Sequence, residues 1–492
     1  MIIIGAGISG LTAGCHAQIN GYNTEIFEMH SIPGGECTSW KRQEYIFDGC
    51  IHWLDGVNTD NKVNMLWKEV GALDNVPIVN YDVFVTIEDD SGNVLNVYSD
   101  IDRFKKHLLE ISPQDEELIN ELVKAAKKSS RFESPVNKPQ ELYNIFDALK
   151  FFINVAPFMA DMTKYGKITI REFAQRFKNP FLKKAFTHIL PKDSVASGLI
   201  ATLGQLHIKQ VGYPIGGSLV FSKTIESKYI SLGGKVNYNS KVERVILDGN
   251  KAIGVKLANG DEHFADIVVS SADGHATLYD MVGDKFIDSD ISELYKNSSK
   301  YQTFTSLQVS LGVNYDLWDK PHFLKLILDN PISIDGFRMD YIPIKHYCYD
   351  HTFCPQGKSV ITSLIDTSYE YWENLYKTPE KYKMQKQRIA DAVIAAIEKK
   401  YPEIKNNIDV IDVATPMTYN RYANAWKGAY MSWLVTPEVG IFKVPKELSN
   451  LNNFFMTGQW TNPPGGLSSA LIAGRNIVQI ICNKDKKKFK SI

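Results

Sequence analysis

At 492 residues the chain exceeds what one ordinary core supports, so two or more domains are expected. Apolar residues make up 44% and charged residues 23%, the composition of a soluble globular protein, and the formal net charge of -1 excludes a broad electrostatic surface for nucleic acid. No apolar run approaches the ~18 residues of a spanning helix. Met1 leads directly into the first strand, so no cleaved leader is expected.

Ile2, Ile3 and Ile4 form the short β-branched run of a buried parallel strand. Gly5, Gly7 and Gly10 follow as G-x-G-x-x-G. The first permits a tight turn, the second lets backbone approach a pyrophosphate, and the third lets a helix pack on the strand. The helix, expected over residues 11–20, turns its first amides and its dipole toward phosphate charge, with Ser9 and Leu11 counted among the contacts. Gly21 closes it. A second strand, NTEIFE, ends in Glu28, 18 residues beyond Gly10. A carboxylate there can accept hydrogen bonds from both ribose hydroxyls and repels a 2′-phosphate. The strand, helix and acid at these spacings make the motif a dinucleotide site rather than a bare glycine turn.

Next come Pro33-Gly34-Gly35, a strand-like YIF, and the stretch FDGCIHW. In these residues the chain resembles the family of FAD-dependent amine oxidases, phytoene desaturases and retinol saturases. Their hallmark is this fingerprint, the acidic residue, and a Gly-Gly pair beside the flavin diphosphate. FDGCIHW is most similar to the retinol saturase and carotenoid isomerase side. The resemblance implies FAD as cofactor, with Gly34 and Gly35 at its diphosphate. Where the family has a basic residue directly after the pair, this chain has Glu36, so that contact is expected from elsewhere, with Lys41 and Arg42 as candidates.

Residues 101–190 read as mostly helical. Within them PQELYNIFDALKFFINVAPFMADM spaces Leu142, Ile145, Phe146, Leu149, Phe152, Ile153 and Ala156 by threes and fours before Pro157. Two readings stand: a helix facing a core, or an amphipathic segment dipping into a membrane surface. The poor lysine content of the polar face weighs toward the core.

In VGYPIGGS a glycine pair opens a helix that ends at Gly233-Gly234, and three strands follow as a meander with turns at LDGN and ANGD. The order resembles the family's second nucleotide-contacting segment, which implies Val242 as the residue whose backbone holds the adenine. Residues from about 280 to 410, with strands TFTSLQVSLGV and KSVITSLI and a helix facing inward through Ile389, Val393, Ala396 and Ile397, read as an inserted α+β domain. Last, FFMTG reads as a buried strand, and a turn over 463–466 opens a helix over 467–481. By resemblance Gly458, Gly465, Gly466 and Leu467 contact the cofactor, Leu467 standing where a third glycine is frequent. Amides at that helix start can face negative charge on a reduced flavin.

The fold class expected is α/β: a Rossmann-like FAD-binding domain of the glutathione reductase and amine oxidase type, over residues 1–100, 196–280 and 411–492. The inserted α+β substrate domain takes 101–195 and 281–410. The resemblance implies an oxidoreductase acting on carbon–carbon bonds of an apolar polyene or lipid, by desaturation, saturation or isomerisation. A flavin amine oxidase is the alternative. A flavin-free lipid carrier similar to the Rab GDP-dissociation inhibitors is disfavoured by the intact glycines. His52 is the candidate catalytic side chain, with a structural role equally open; Trp53 and Trp460 are candidate walls, and Tyr341 and Arg338 weaker ones. No metal site is expected. Six scattered cysteines read as reduced thiols in a cytoplasmic setting, with peripheral membrane contact as the open option. The expected partner is an apolar small molecule.

Overall fold

The computed structural model describes residues 1–491. Its first layer is a five-stranded parallel sheet in the spatial order Lys235–Asn237, Glu25–Phe27, Ile2–Ile4, Val268–Ser270, Phe454–Met456. Both faces of three of these strands are covered, which is why they read III, VVS and FFM rather than as alternating polar and apolar residues. Val268–Ser270, which follows the meander in the chain, enters this sheet between Ile2–Ile4 and Phe454–Met456. The meander itself forms from Val242–Asp248, Lys251–Leu257 and Glu262–Phe264.

The helix after the first strand runs Ile8–Ile19, beginning at the glycine turn rather than at residue 11. The carboxy-terminal helix Leu467–Lys484 lies against it so closely that a Cβ on Gly474 would meet the Ser9 carbonyl oxygen at 2.4 Å. Arg475, the next residue, is buried and donates to the Glu69 carboxylate at 3.0 Å and to the carbonyls of Val136 and Asn137. The two ends of the chain are thus locked into one unit.

The second layer is a large mixed sheet ordered Ile408–Ala414, Thr303–Val313, Ser359–Asp366, Phe337–His346, Phe323–Ile334, Val83–Asp89, Val94–Tyr98, with Ala429–Trp433 also paired to Thr303–Val313. Strands at 83–98 and 408–433 therefore join the inserted segment's sheet from either side of it. The helix Pro379–Lys400 covers one face through buried Ile389, Val393 and Ile397. The other face looks toward the parallel sheet.

Helix Ile145–Val155 overturns the core reading of its segment: it has no buried residue, and Ile145 and Phe146 are 85% and 82% exposed. What fixes it is local. Asn144 accepts from the Asp147 amide at 2.9 Å, Asp147 accepts from the Asn144 amide at 3.1 Å, and Lys138 pairs with Asp147 at 2.6 Å. No helix among the described residues is long and apolar enough to cross a membrane.

Candidate active site

Between the two layers lies a cavity of about 1590 Å³. At one end its wall is backbone: Gly5, Gly7, Ser9, Gly34 and Gly35, with Glu28, Lys241 and Val242 beside them. Gly458, Gly465, Gly466, Leu467 and the next three residues close the same region. The amino termini of Ile8–Ile19 and Leu467–Lys484 thus open on one space, and a Ser9–Thr457 hydroxyl contact at 2.9 Å ties the first helix to the end of strand Phe454–Met456. A site of this kind favours negative charge through both free amides and dipoles.

Of the residues expected here, Gly10 and Leu11 are not on the wall. The early start of the helix puts the Leu11 amide inside the hydrogen-bond ladder, donating to the Gly7 carbonyl at 3.0 Å, and its side chain in the core. Gly10 presses on the Gly5 carbonyl instead. Lys41 and Arg42 also miss the cavity. Both are exposed, and Arg42 pairs with Asp412 at 2.9 Å. A basic residue that does reach the wall beside these glycines is Lys241, which stands directly before Val242. Glu28 is buried, and its carboxylate accepts from the Ala6 amide at 2.7 Å and the His30 amide at 2.8 Å. These donors partly offset the burial that raises its pKa.

Glu36 and Asp273 share the next part of the wall. Burial pushes Glu36 up to about 8, with the neighbouring Asp273 adding like-charge repulsion and a Gln459 bond at 3.0 Å opposing both. Asp273 rises to about 6, also through burial. Glu36 is therefore largely protonated at neutral pH, which explains how an acid can stand where a basic residue was expected.

The far end is walled by aromatic and apolar groups, among them Trp53, Phe84, Phe304, Tyr341, Tyr430 and Trp460. Trp460 is also packed edge to face against Trp433, at 4.9 Å between ring centres. Arg338 reaches the wall and pairs with Asp340 at 2.8 Å. His52 is half-buried here, its buried Nδ1 without a partner among the described residues, and desolvation reinforced by Lys345 and Lys325 holds its imidazole well below the ordinary range. Those two lysines, Lys241 and Asp273 went unnoticed in the sequence; a lysine amid strand-forming residues carries no local mark of facing inward. Six free cysteines are found, and among the described residues no cluster suits a metal ion.

A family model for flavin containing amine oxidoreductases matches residues 8–482. The chain belongs to that family. Among relatives of this flavin oxidoreductase, prolycopene isomerase 2 of an Oncidium hybrid cultivar is 24% identical, spanning 96% of this chain and 82% of that protein. The all-trans-retinol 13,14-reductase of Danio rerio is 23% identical over 97% of this chain and 85% of its own. The crystal structure of an oxidoreductase from Methanosarcina mazei superposes with a TM-score of 0.61 at 15% identity, covering 97% and 99% of the two chains, which shows the shared α/β fold.

The residues present fit a flavin. A Cβ on Gly7 would meet nothing nearer than the Gly34 carbonyl at 3.9 Å, so the space in front of that glycine belongs to the cavity and not to packing. Among the described residues the buried Glu36 Oε1 and His52 Nδ1 have no protein partner, and both residues line this cavity.

Proposed function

We propose that the protein is an FAD-dependent oxidoreductase acting on carbon–carbon bonds of an apolar polyene or related lipid, by desaturation, saturation or isomerisation. The observation that carries this reading is the continuity of the cavity: an amide-lined, dipole-flanked end runs without interruption into an aromatic-walled end. Its volume of about 1590 Å³ exceeds the ~300–1,000 Å³ of an ordinary ligand pocket, leaving room for a dinucleotide and a long second molecule. Two relatives are named for isomerising prolycopene and for reducing all-trans-retinol, which supports a polyene class.

In this reading Gly5, Gly7 and Ser9 hold the diphosphate at the first helix, Glu28 accepts from the ribose, Gly34 and Gly35 flank the phosphates, and Val242 lies at the adenine. Gly458, Gly465, Gly466 and Leu467 border the ring system. When bound, the flavin supplies hydride transfer. The chain's part is to hold the substrate, exclude water and stabilise charge. Trp53, Phe84 and Tyr430 keep the reacting end dry, and the first amides of Leu467–Lys484 face negative charge as it develops. His52, held neutral, positions the substrate or passes a proton without contributing charge. Exchange to phenylalanine, His52→Phe, is expected to slow anaerobic flavin reduction about 100-fold in stopped-flow measurements with flavin content unchanged. An unchanged rate would leave His52 as part of the wall.

The whole reading is tested by anaerobic titration of the purified protein, following the oxidised-flavin band at about 450 nm. All-trans-retinol is expected to perturb or bleach it and simple amines to leave it alone. Bleaching by amines with indifference to retinol would favour amine oxidation.

The same reading sets Ile145–Val155 on a membrane surface. Phe132, Phe158, Met162 and Ile441 line the cavity mouth, and three of them are exposed alongside the helix, making one apolar area with the entrance. In sedimentation with phosphatidylcholine vesicles, Phe146→Glu is expected to weaken binding about tenfold or more. Equal binding would remove the helix from the entry route.

A further inference from the structure

We infer that the inner chamber recognises a carboxylate at the end of its apolar ligand, gripped by Lys325 with Lys345 behind it. The inference rests on the polyene reading and narrows it, from a plain hydrocarbon to an unsaturated chain that ends in an acid.

The two lysines come from neighbouring strands of the large sheet. Phe323 pairs with Lys345 and Lys325 pairs with Pro343, so both side chains stand diagonally on the face that floors the cavity. Lys345 is 2% exposed and donates only to main-chain oxygens, of Ile51 at 3.4 Å and His52 at 3.1 Å. Lys325 donates to the His188 carbonyl at 2.7 Å, which leaves two of its three N–H groups for the chamber. Among the described residues neither ammonium has a carboxylate oxygen within ion-pair distance. Asp366 acts on Lys325 only from farther off, and Asp48, near Lys345, already accepts from Tyr213 at 2.7 Å and from Ser39 and Ser218.

A half-buried and a fully buried ammonium, neither in direct contact with an anion, are costly once the chamber is sealed from water. A hydrocarbon sealing the cavity would strand them, and a protonated amine would meet like charge. A carboxylate resolves both problems through charge-assisted hydrogen bonds. It would also find the unpartnered Nδ1 of His52, on which both lysines act.

The charge response has a definite sign. Burial lowers Lys325 to about 8 and Lys345 to about 7. The other titratable groups facing them keep their form near neutrality. His188, His52 and His322 are pushed down and stay neutral, while Tyr341, Tyr213, Tyr347 and Cys50 are pushed up and stay neutral too. Asp366 and Asp48, raised by burial, complete the surroundings, with Lys192, Lys184 and Asp340 beyond His188. The ammonium forms therefore fade as pH rises through these values, and affinity for an acid fades with them.

The test compares parinaric acid, a conjugated tetraene carboxylic acid, with its methyl ester, by fluorescence titration of the flavin-loaded protein. The acid is expected to bind about tenfold or more tighter, with its advantage shrinking between about pH 6 and about pH 9. Lys325→Met is expected to abolish the advantage while sparing ester binding, and Lys345→Met to reduce it. Unchanged melting and flavin absorbance establish that each variant is folded, with Lys325→Gln as substitute if the methionine variant is not. Equal binding of acid and ester to the native protein, or an advantage that survives in both variants, would overturn the inference and leave the polyene reading intact. Binding of neither molecule would contradict the polyene reading, and this inference with it.

Discussion

Replacement of Gly10 by valine is expected to destabilise the protein by about 4 kcal/mol or more and to abolish flavin retention through loss of the fold. A Cβ at that position would sit 2.1 Å from the Gly5 carbonyl oxygen and 2.5 Å from the Ser271 hydroxyl. The nearer neighbour is backbone in the turn that begins the parallel sheet, so it has no rotamer by which to move aside. The helix Ile8–Ile19 would be levered off the first strand, and with it the carboxy-terminal helix packed on its other side. Thermal or denaturant unfolding of the variant checks this; a melting curve like that of the native protein would show that the helix has freedom its packing denies.

Gly7→Val is expected to do the opposite. Gly7 has φ -69° and ψ 174°, extended backbone open to any residue, and its absent side chain would point into the cavity. The fold should lose no more than about 1 kcal/mol, from a poorer helix cap. Flavin affinity should fall about 100-fold or more, because the valine methyls would occupy the space that the cofactor's phosphates need. Equilibrium titration of deflavinated native and Gly7→Val protein with FAD separates the two quantities. Two glycines of one motif thus have different tasks, one in packing and one in binding, and the pair of variants distinguishes them.

Much of this is legible in the sequence. The glycine turn, Glu28 and the closing helix are local patterns, and local geometry enforces them: a β-branched run, a turn that needs positive φ at Gly5, and a helix whose amides must face something. Leu11 falls in the core rather than on the wall because the glycine pattern does not fix where the helix begins, and a start at Ile8 instead of residue 11 turns a wall position into a core position. The amphipathic stretch ending at Pro157 was ambiguous for a different reason. Apolar spacing reports that a helix has two faces, not what covers the apolar one, and here nothing among the described residues buries it.

The inner end of the cavity was the least readable. Lys325 and Lys345 lie 20 residues apart (345 − 325) and become neighbours only through the pairing of two long strands. Glu36 is similar: next to a glycine pair it reads as a departure from pattern, and only the burial shared with Asp273 and the bond from Gln459 make it a protonated acid suited to the place.

The whole account depends on the two ends of the chain closing around one dinucleotide. Calorimetric titration of the deflavinated native protein with FAD measures this directly. Saturation at one FAD per chain, with a marked rise in melting temperature on binding, is the result expected. A normally folded chain that takes up no FAD would contradict it.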